Sequence, residues 1–163
     1  MNGQRVAIVT GANRGIGNAI AIGLAQRDHR VVVCARSIID AERAASEIGH
    51  DSVPVQLDVT DADSVTAAVA TILDVCGRLD VVVNNAGGHF DEGIRPSEIT
   101  DADLLDAFEV NTIGPMRLIS AALPHLLARQ WGRIVNVSST SGTFSATWAN
   151  APAYGVSKAA LNM

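Results

Sequence analysis

Arg5-Val6-Ala7-Ile8-Val9-Thr10-Gly11-Ala12-Asn13-Arg14-Gly15-Ile16-Gly17 reads as a short apolar run that breaks at a glycine and passes at once into a second pattern. The run Arg5–Thr10 has the length and composition of a buried strand, and from Gly15 to Arg27 the residues Ile16, Ile20 and Leu24 recur at helical spacing. A helix that starts directly after such a turn leaves its first N–H groups unpaired and aimed at the turn, where they attract phosphate. Gly11 suits the sharp turn, Gly15 lets backbone approach a pyrophosphate, and Gly17 lets helix and strand pack closely. Three glycines alone are weak evidence; the flanking strand and helix are what lift the turn above the many others that contain them.

Working outward, the same alternation repeats. Strands are predicted at Arg30–Cys34, Val53–Leu57, Leu79–Asn84 and Arg133–Val137, all rich in β-branched residues. Between them lie helical patterns at Asp40–Ile48, from an N-cap at Thr60 to about Val75, and from a cap at Thr100 through Ala128 with interruptions at Gly114-Pro115 and Pro124. Pro152 suits the first turn of a last helix. Uniformly apolar strands alternating with helices predict a single α/β domain of the doubly wound, Rossmann-type class: a parallel sheet of five strands covered on both faces.

Composition narrows the function. Twelve basic against 17 acidic residues give a net charge of -5, which suggests neither a nucleic-acid stripe nor an anionic membrane partner. No stretch reaches transmembrane length. Cys34 and Cys76 fit no metal or redox spacing and read as two reduced thiols of a cytoplasmic domain, and the four histidines are scattered, so no metal site is expected.

The only tyrosine, Tyr154, and the only lysine, Lys158, stand four residues apart, on one face of the last helix. An isolated tyrosine ionises near pH 10, so roughly a thousandth is phenolate at neutrality. An ammonium about 4 Å away, at an effective dielectric of about 20, supplies about 4 kcal/mol toward the phenolate. Such a pair makes a general acid or base of the phenol.

With these features in place the chain resembles the short-chain dehydrogenase/reductase family. Thr10-Gly11-Ala12-Asn13-Arg14-Gly15-Ile16-Gly17 matches its cofactor turn, Asn84-Asn85-Ala86-Gly87 its segment after the fourth strand, and Tyr154-x3-Lys158 its catalytic signature, so the likeness runs through the whole chain. The resemblance implies a nicotinamide cofactor and hydride transfer between an alcohol and a ketone or aldehyde. It implies that Ser139 binds the substrate carbonyl, Ser138 and Ser141 competing for the role, and that Asn111 completes the catalytic group through a water held by its backbone. It implies that Asp58, followed by Val59, contacts the adenine, and that Asn84, Asn85, Ala86 and Gly87 line the cofactor together with the turn, Tyr154 and Lys158. His89, Phe144 and Trp148 lie in loops expected near the substrate and are assigned no role.

Charge argues the choice of cofactor. An acid at the end of the second strand would bind a ribose 2′-hydroxyl and repel a 2′-phosphate, but the chain has Cys34-Ala35-Arg36-Ser37 there. Arg36 and Arg14 bracket a 2′-phosphate instead, which favours NADP. The resemblance also implies two more strands and a substrate lid beyond the last strand here, and homo-oligomers formed through the long helix and the tyrosine helix. Two functions are therefore expected to compete: an NADP-dependent carbonyl reductase or alcohol dehydrogenase, and a non-catalytic chain that at most binds nucleotide or a partner completing the sheet.

Overall fold

Strands built from runs of valine and isoleucine need cover on both faces. The structure, a computed structural model describing residues 3–89, 91–145 and 151–163, supplies it with a parallel five-stranded sheet. The strands are β1 (Arg5–Thr10), β2 (His29–Ala35), β3 (Val53–Gln56), β4 (Val81–Asn84) and β5 (Arg133–Asn136), in the order β3-β2-β1-β4-β5. The helices are α1 (Gly15–Ala25), α2 (Ile38–Ile48), α3 (Ala62–Cys76), α4 (Asp101–Phe108), α5 (Gly114–Ala128) and α6 (Pro152–Asn162). Alternation along the strands divides the core. Val6, Ile8, Val32 and Val82 pack with Val65, Ile72 and Leu118 of α3 and α5, whereas Ala7, Val9, Val31 and Val33 pack with Ala21 and Ala25 of α1 and Ala44 and Ile48 of α2. Strand order reverses between β1 and β4, so the crevice at their C-terminal ends is where a ligand belongs in this class of sheet.

Two details differ from the sequence reading. Asp61, not Thr60, caps α3, accepting the N–H groups of Asp63 and Ser64; Thr60 is unavailable because its N–H and hydroxyl both donate to the Asp58 carboxylate. The long helix after Thr100 is broken at Glu109–Ile113, a π-helical turn, and not at its prolines. Pro115 falls in the first turn of α5, where a missing N–H costs nothing, and Pro124 lies within α5. As the strands missing beyond it in the family pattern lead one to expect, β5 is an exposed edge, whereas β1, β2 and β4 are largely buried.

At the opposite end of the sheet Asp80, 1% exposed, ties the strands together. Its carboxylate accepts the Val6 N–H (2.9 Å) and two Arg78 N–H groups (2.6 and 2.7 Å), with Arg129 at 3.4 Å. Trp131 lies between the guanidinium groups of Arg5 and Arg133, 4.1 and 5.0 Å from the ring centre, and joins the starts of β1 and β5.

Burial works to raise the Asp80 carboxyl, but the hydrogen bonds from Arg78 and Val6 and the charges of Arg78 and Arg129 outweigh it and hold the group below its usual range. A folded-state value below the unfolded one, about 3.9, contributes stability that is present above that pH and lost as the pH falls through the folded value. Asp80→Asn is therefore expected to cost about 2–4 kcal/mol at neutral pH, because it leaves Arg78 short of its partner. In urea unfolding the gap between variant and parent should narrow as the pH drops below about 4; a pH-independent gap would contradict this account.

Candidate active site

The turn after β1 adopts what its glycines permit. Gly11 and Gly15 have φ of 62° and 58°, in the left-handed region that favours glycine. Arg14, in extended conformation, precedes α1, which has neither a side-chain cap nor an acid in its first turn, so its leading N–H groups stand open. Gly17 meets a tighter limit than the strand packing expected from sequence: a Cβ there would lie 2.3 Å from Asn85 Nδ2 and 2.4 Å from the Gly11 carbonyl. Asn85 Nδ2 donates to the carbonyls of Thr10 (2.8 Å) and Gly11 (3.3 Å), while the Thr10 hydroxyl accepts the N–H groups of Asn85 (3.0 Å) and Ala86 (2.9 Å). The two loops at the reversal of strand order are thus stitched together.

A cleft of about 920 Å³ opens over this stitching, large enough for an extended ligand. Gly11, Asn13, Arg14, Gly15, Ile16, Gly17, Arg36, Asp58, Val59, Asn85, Ala86 and Gly87 all line it. Asn84 does not: it is buried at the end of β4, and its amide donates to Asn136 of β5 at 2.8 Å. Sequence reading missed Ser37, Asp40 and Arg43 in the lining. Ser37 caps α2, and Asp40 pairs with Arg43 at 2.8 Å, an i,i+3 pattern legible in the sequence as a helix-face pair but not as a cleft wall. Burial raises the Asp58 carboxyl, yet hydrogen bonds from Thr60 and the charge of Arg36 bring it below its ordinary value, so it stays ionised and fixed in direction.

Beside this cleft, outside its lining, lies the second group. Lys158 is buried, 4% exposed, and Nζ donates to the Val137 carbonyl at 2.8 Å and lies 5.8 Å from the Tyr154 ring centre. Burial lowers the Lys158 ammonium from its usual range. Asn111, fully buried in the π-helical turn, accepts the Gly88 N–H and donates to the Gly88 carbonyl, both at 3.0 Å, and donates to Ser157 Oγ at 3.1 Å. A Cβ on Gly87 would lie 3.0 Å from Asn111 Oδ1 and 3.4 Å from Lys158 Nζ, so this glycine is where the cleft and the lysine meet. Ser139 opens a short 3-10 turn (Thr140–Gly142), its oxygen accepting the Ser141 N–H at 3.1 Å. Gly142 packs so closely on α6 that a Cβ would stand 2.6 Å from the Lys158 carbonyl carbon. The Ser138 hydroxyl is buried without a partner.

Two further residues, Ser157 and Asp91, escaped the sequence reading, which places His89 near the substrate without a role. Ser157 Oγ donates to the Tyr154 carbonyl (2.8 Å), and its own carbonyl accepts from Thr112 (2.9 Å), docking α6 on the π-helical turn. His89 stacks on Tyr154 with ring centres 3.6 Å apart. Asp91 is buried against the start of α6. Only adjacency to a matched motif could have flagged Ser157. Trp148 lies outside the described residues. Burial pushes the Cys34 thiol far up, which makes it inert packing.

The open N-terminus of α1, a glycine turn that leaves backbone exposed to the cleft, and cations lining it fit a dinucleotide phosphate, and the cleft reaches Lys158 at Gly87. The family model for short chain dehydrogenases matches residues 5–163. The chain is 34% identical over 159 residues to an uncharacterized oxidoreductase of Staphylococcus epidermidis, covering 98% of this chain and 67% of that protein. It is 37% identical over 139 residues to the 3-oxoacyl-(acyl-carrier-protein) reductase FabG of Vibrio harveyi, covering 85% of this chain and 56% of the reductase. Among solved structures, a metagenomic short-chain oxidoreductase in complex with NADP superposes with a TM-score of 0.88 at 35% identity, covering 98% of this chain and 72% of that one. A short-chain dehydrogenase from Streptomyces avermitilis gives 0.88 at 35%, and this chain spans 57% of its length. The chain belongs to the short-chain dehydrogenase/reductase family, whose members are oxidoreductases that bind a nicotinamide cofactor. No helix among the described residues is long and apolar enough to cross a membrane.

Gly17→Ala separates the roles of the glycines. Its methyl overlaps an amide and a backbone carbonyl, so the stitched loops must part, at a cost of about 1–3 kcal/mol. We expect a lower melting temperature and at least tenfold weaker binding of reduced nicotinamide cofactor by fluorescence titration. Gly15→Ala meets open space and should cost only the left-handed strain, about 1 kcal/mol.

Proposed function

We propose that the chain carries the cofactor-binding and proton-transfer machinery of an NADP-dependent reductase acting on small ketones or aldehydes, or on the corresponding alcohols in reverse. The observation that carries this reading is the buried Lys158 beside Tyr154, set against a glycine of the cofactor cleft. When bound, the nicotinamide supplies or accepts the hydride. Tyr154 gives its hydroxyl proton to the carbonyl oxygen as charge develops there, and takes it back in alcohol oxidation. The oxygen of Ser139 already accepts a backbone N–H, which leaves its own proton free for the substrate oxygen.

Lys158 has no acid partner among the described residues, so its charge is not neutralised locally. Its Nζ stands 5.8 Å from the centre of the Tyr154 ring, one helical turn away on the same face of α6. Asn111 acts at one remove, holding Gly88 and Ser157 where the loop and α6 meet.

The preference for NADP rests on charge. Arg14 and Arg36 line the cleft and make no ion pair among the described residues, Ala35 takes the place of an acid, and Asp40 is neutralised by Arg43. A second copy of the chain is the proposed partner at Met116 and Leu127 of α5 and Val156 of α6, all exposed. The free thiols Cys34 and Cys76 suit a reducing, cytoplasmic setting.

Turnover of a reactive diketone with NADPH should exceed that with NADH, and Arg36→Ala should raise KM for NADPH at least tenfold while sparing NADH. Tyr154→Phe should lower kcat by about 10²–10⁴ with NADPH affinity unchanged. A preference for NADH removes the cofactor assignment; full activity in Tyr154→Phe removes the mechanism.

A further inference from the structure

The loop after β4 reaches α6 through Asp91, whose side chain is fully buried. The carboxylate makes no ion pair among the described residues and turns instead to backbone: Oδ2 accepts the Ala153 N–H at 2.6 Å and Oδ1 the Tyr154 N–H at 3.3 Å. The N-cap of α6 is Ala151, which has no side-chain acceptor, and Pro152 brings no N–H. An acid 62 residues earlier in the chain therefore holds the first turn of the helix that bears Tyr154. A buried carboxylate at a helix start is stabilised by the open N–H groups and the helix dipole, and in return it fixes where that turn lies.

The same short loop has other attachments. Gly87 and Gly88 line the cofactor cleft, Gly88 clamps Asn111 from both sides of its amide, and His89 stacks on the Tyr154 ring. Tyr154 is thus held at its backbone by Asp91 and at its ring by His89, from a loop whose near end is the wall of the cleft. The charged or titratable groups facing it are Asp91 and His89 on that loop and Lys158 on α6.

We infer that Asp91 is a positioning residue for Tyr154: it orients the phenol by closing the first turn of α6, and its charge opposes that of Lys158. The inference rests on Tyr154 being the proton donor. Removing the carboxylate should therefore misplace the phenol and, through loss of a nearby negative charge, make the phenolate easier to form.

The test uses Asp91→Asn, Asp91→Ala and Asp91→Glu in the 163-residue chain, whose single tyrosine makes ultraviolet absorbance report one phenol. In Asp91→Asn, which keeps one acceptor, the phenol titration with NADP present should move toward lower pH by about half a unit, as should the matching limb of the kcat profile. The kcat for diketone reduction should fall about tenfold in Asp91→Asn and about a hundredfold in Asp91→Ala, with partial recovery in Asp91→Glu and KM for NADPH within twofold throughout. If Asp91→Ala does not fold, Asp91→Asn decides by the same titration. Superimposable titrations of parent and Asp91→Asn, or activity losses that merely track the folded fraction seen in thermal melts, overturn the inference. A parent chain with no activity toward any carbonyl overturns the reading of Tyr154 as donor instead, and the phenol titration, which needs no turnover, still decides whether Asp91 bears on that residue.

Discussion

The amide of Asn85, lodged against the carbonyls of Thr10 and Gly11, is the contact on which the rest of the site depends. It fastens the loop after β4 to the turn after β1 at the point where strand order reverses, with the Thr10 hydroxyl returning two bonds. Each of these groups would otherwise be a polar group taken out of water, so the stitching satisfies donors and acceptors as it sets the spacing. Gly17 follows from it, since no side chain fits between the amide and the carbonyl. The open N-terminus of α1 has its own cause: its N-cap is Arg14, which carries no side-chain acceptor.

From that anchor the loop runs to Gly88, and the amide of Asn111 takes over. A π-helical turn gives up regular helix hydrogen bonding, and here the widened turn delivers a fully buried amide to Gly88 and Ser157. The break in the helix is thus compensated by bonds to two other elements. Their effect is to set α6, and with it Tyr154 and Lys158, relative to the cleft.

How much of this the sequence disclosed depends on how local the cause was. The strands, the glycine turn and the cap at Thr100 are written in neighbouring residues, and they were legible with boundaries within two or three positions. The parallel sheet followed from apolar runs without alternation. Non-local partners were not legible. Asp61 displaced Thr60 as a cap because Asp58 had already engaged that threonine. Asn111 broke the helix because its partner lies 23 residues away, a distance at which prolines had seemed the better explanation. Arg43 and Asp40 look like an ordinary surface pair until α2 is laid beside the glycine turn. Asp91 carries no motif at all, and its role exists only once α6 is docked.

Lys158 shows why the two halves of the site cannot be arranged independently. Burying an ammonium costs several kcal/mol unless its protons find partners. Here it has no acid among the described residues, and the bond it does make, at 2.8 Å, is to Val137, the residue just past β5. That strand is otherwise exposed along its length, held at this end by Lys158 and by the amide pair Asn84–Asn136. Ser139 follows two residues later. Lys158 therefore also fixes the end of the strand that leads to Ser139. An arginine would keep the charge, but its planar, longer head cannot occupy a space bounded by Gly87 and Asn111, so charge and position are required of the same atom.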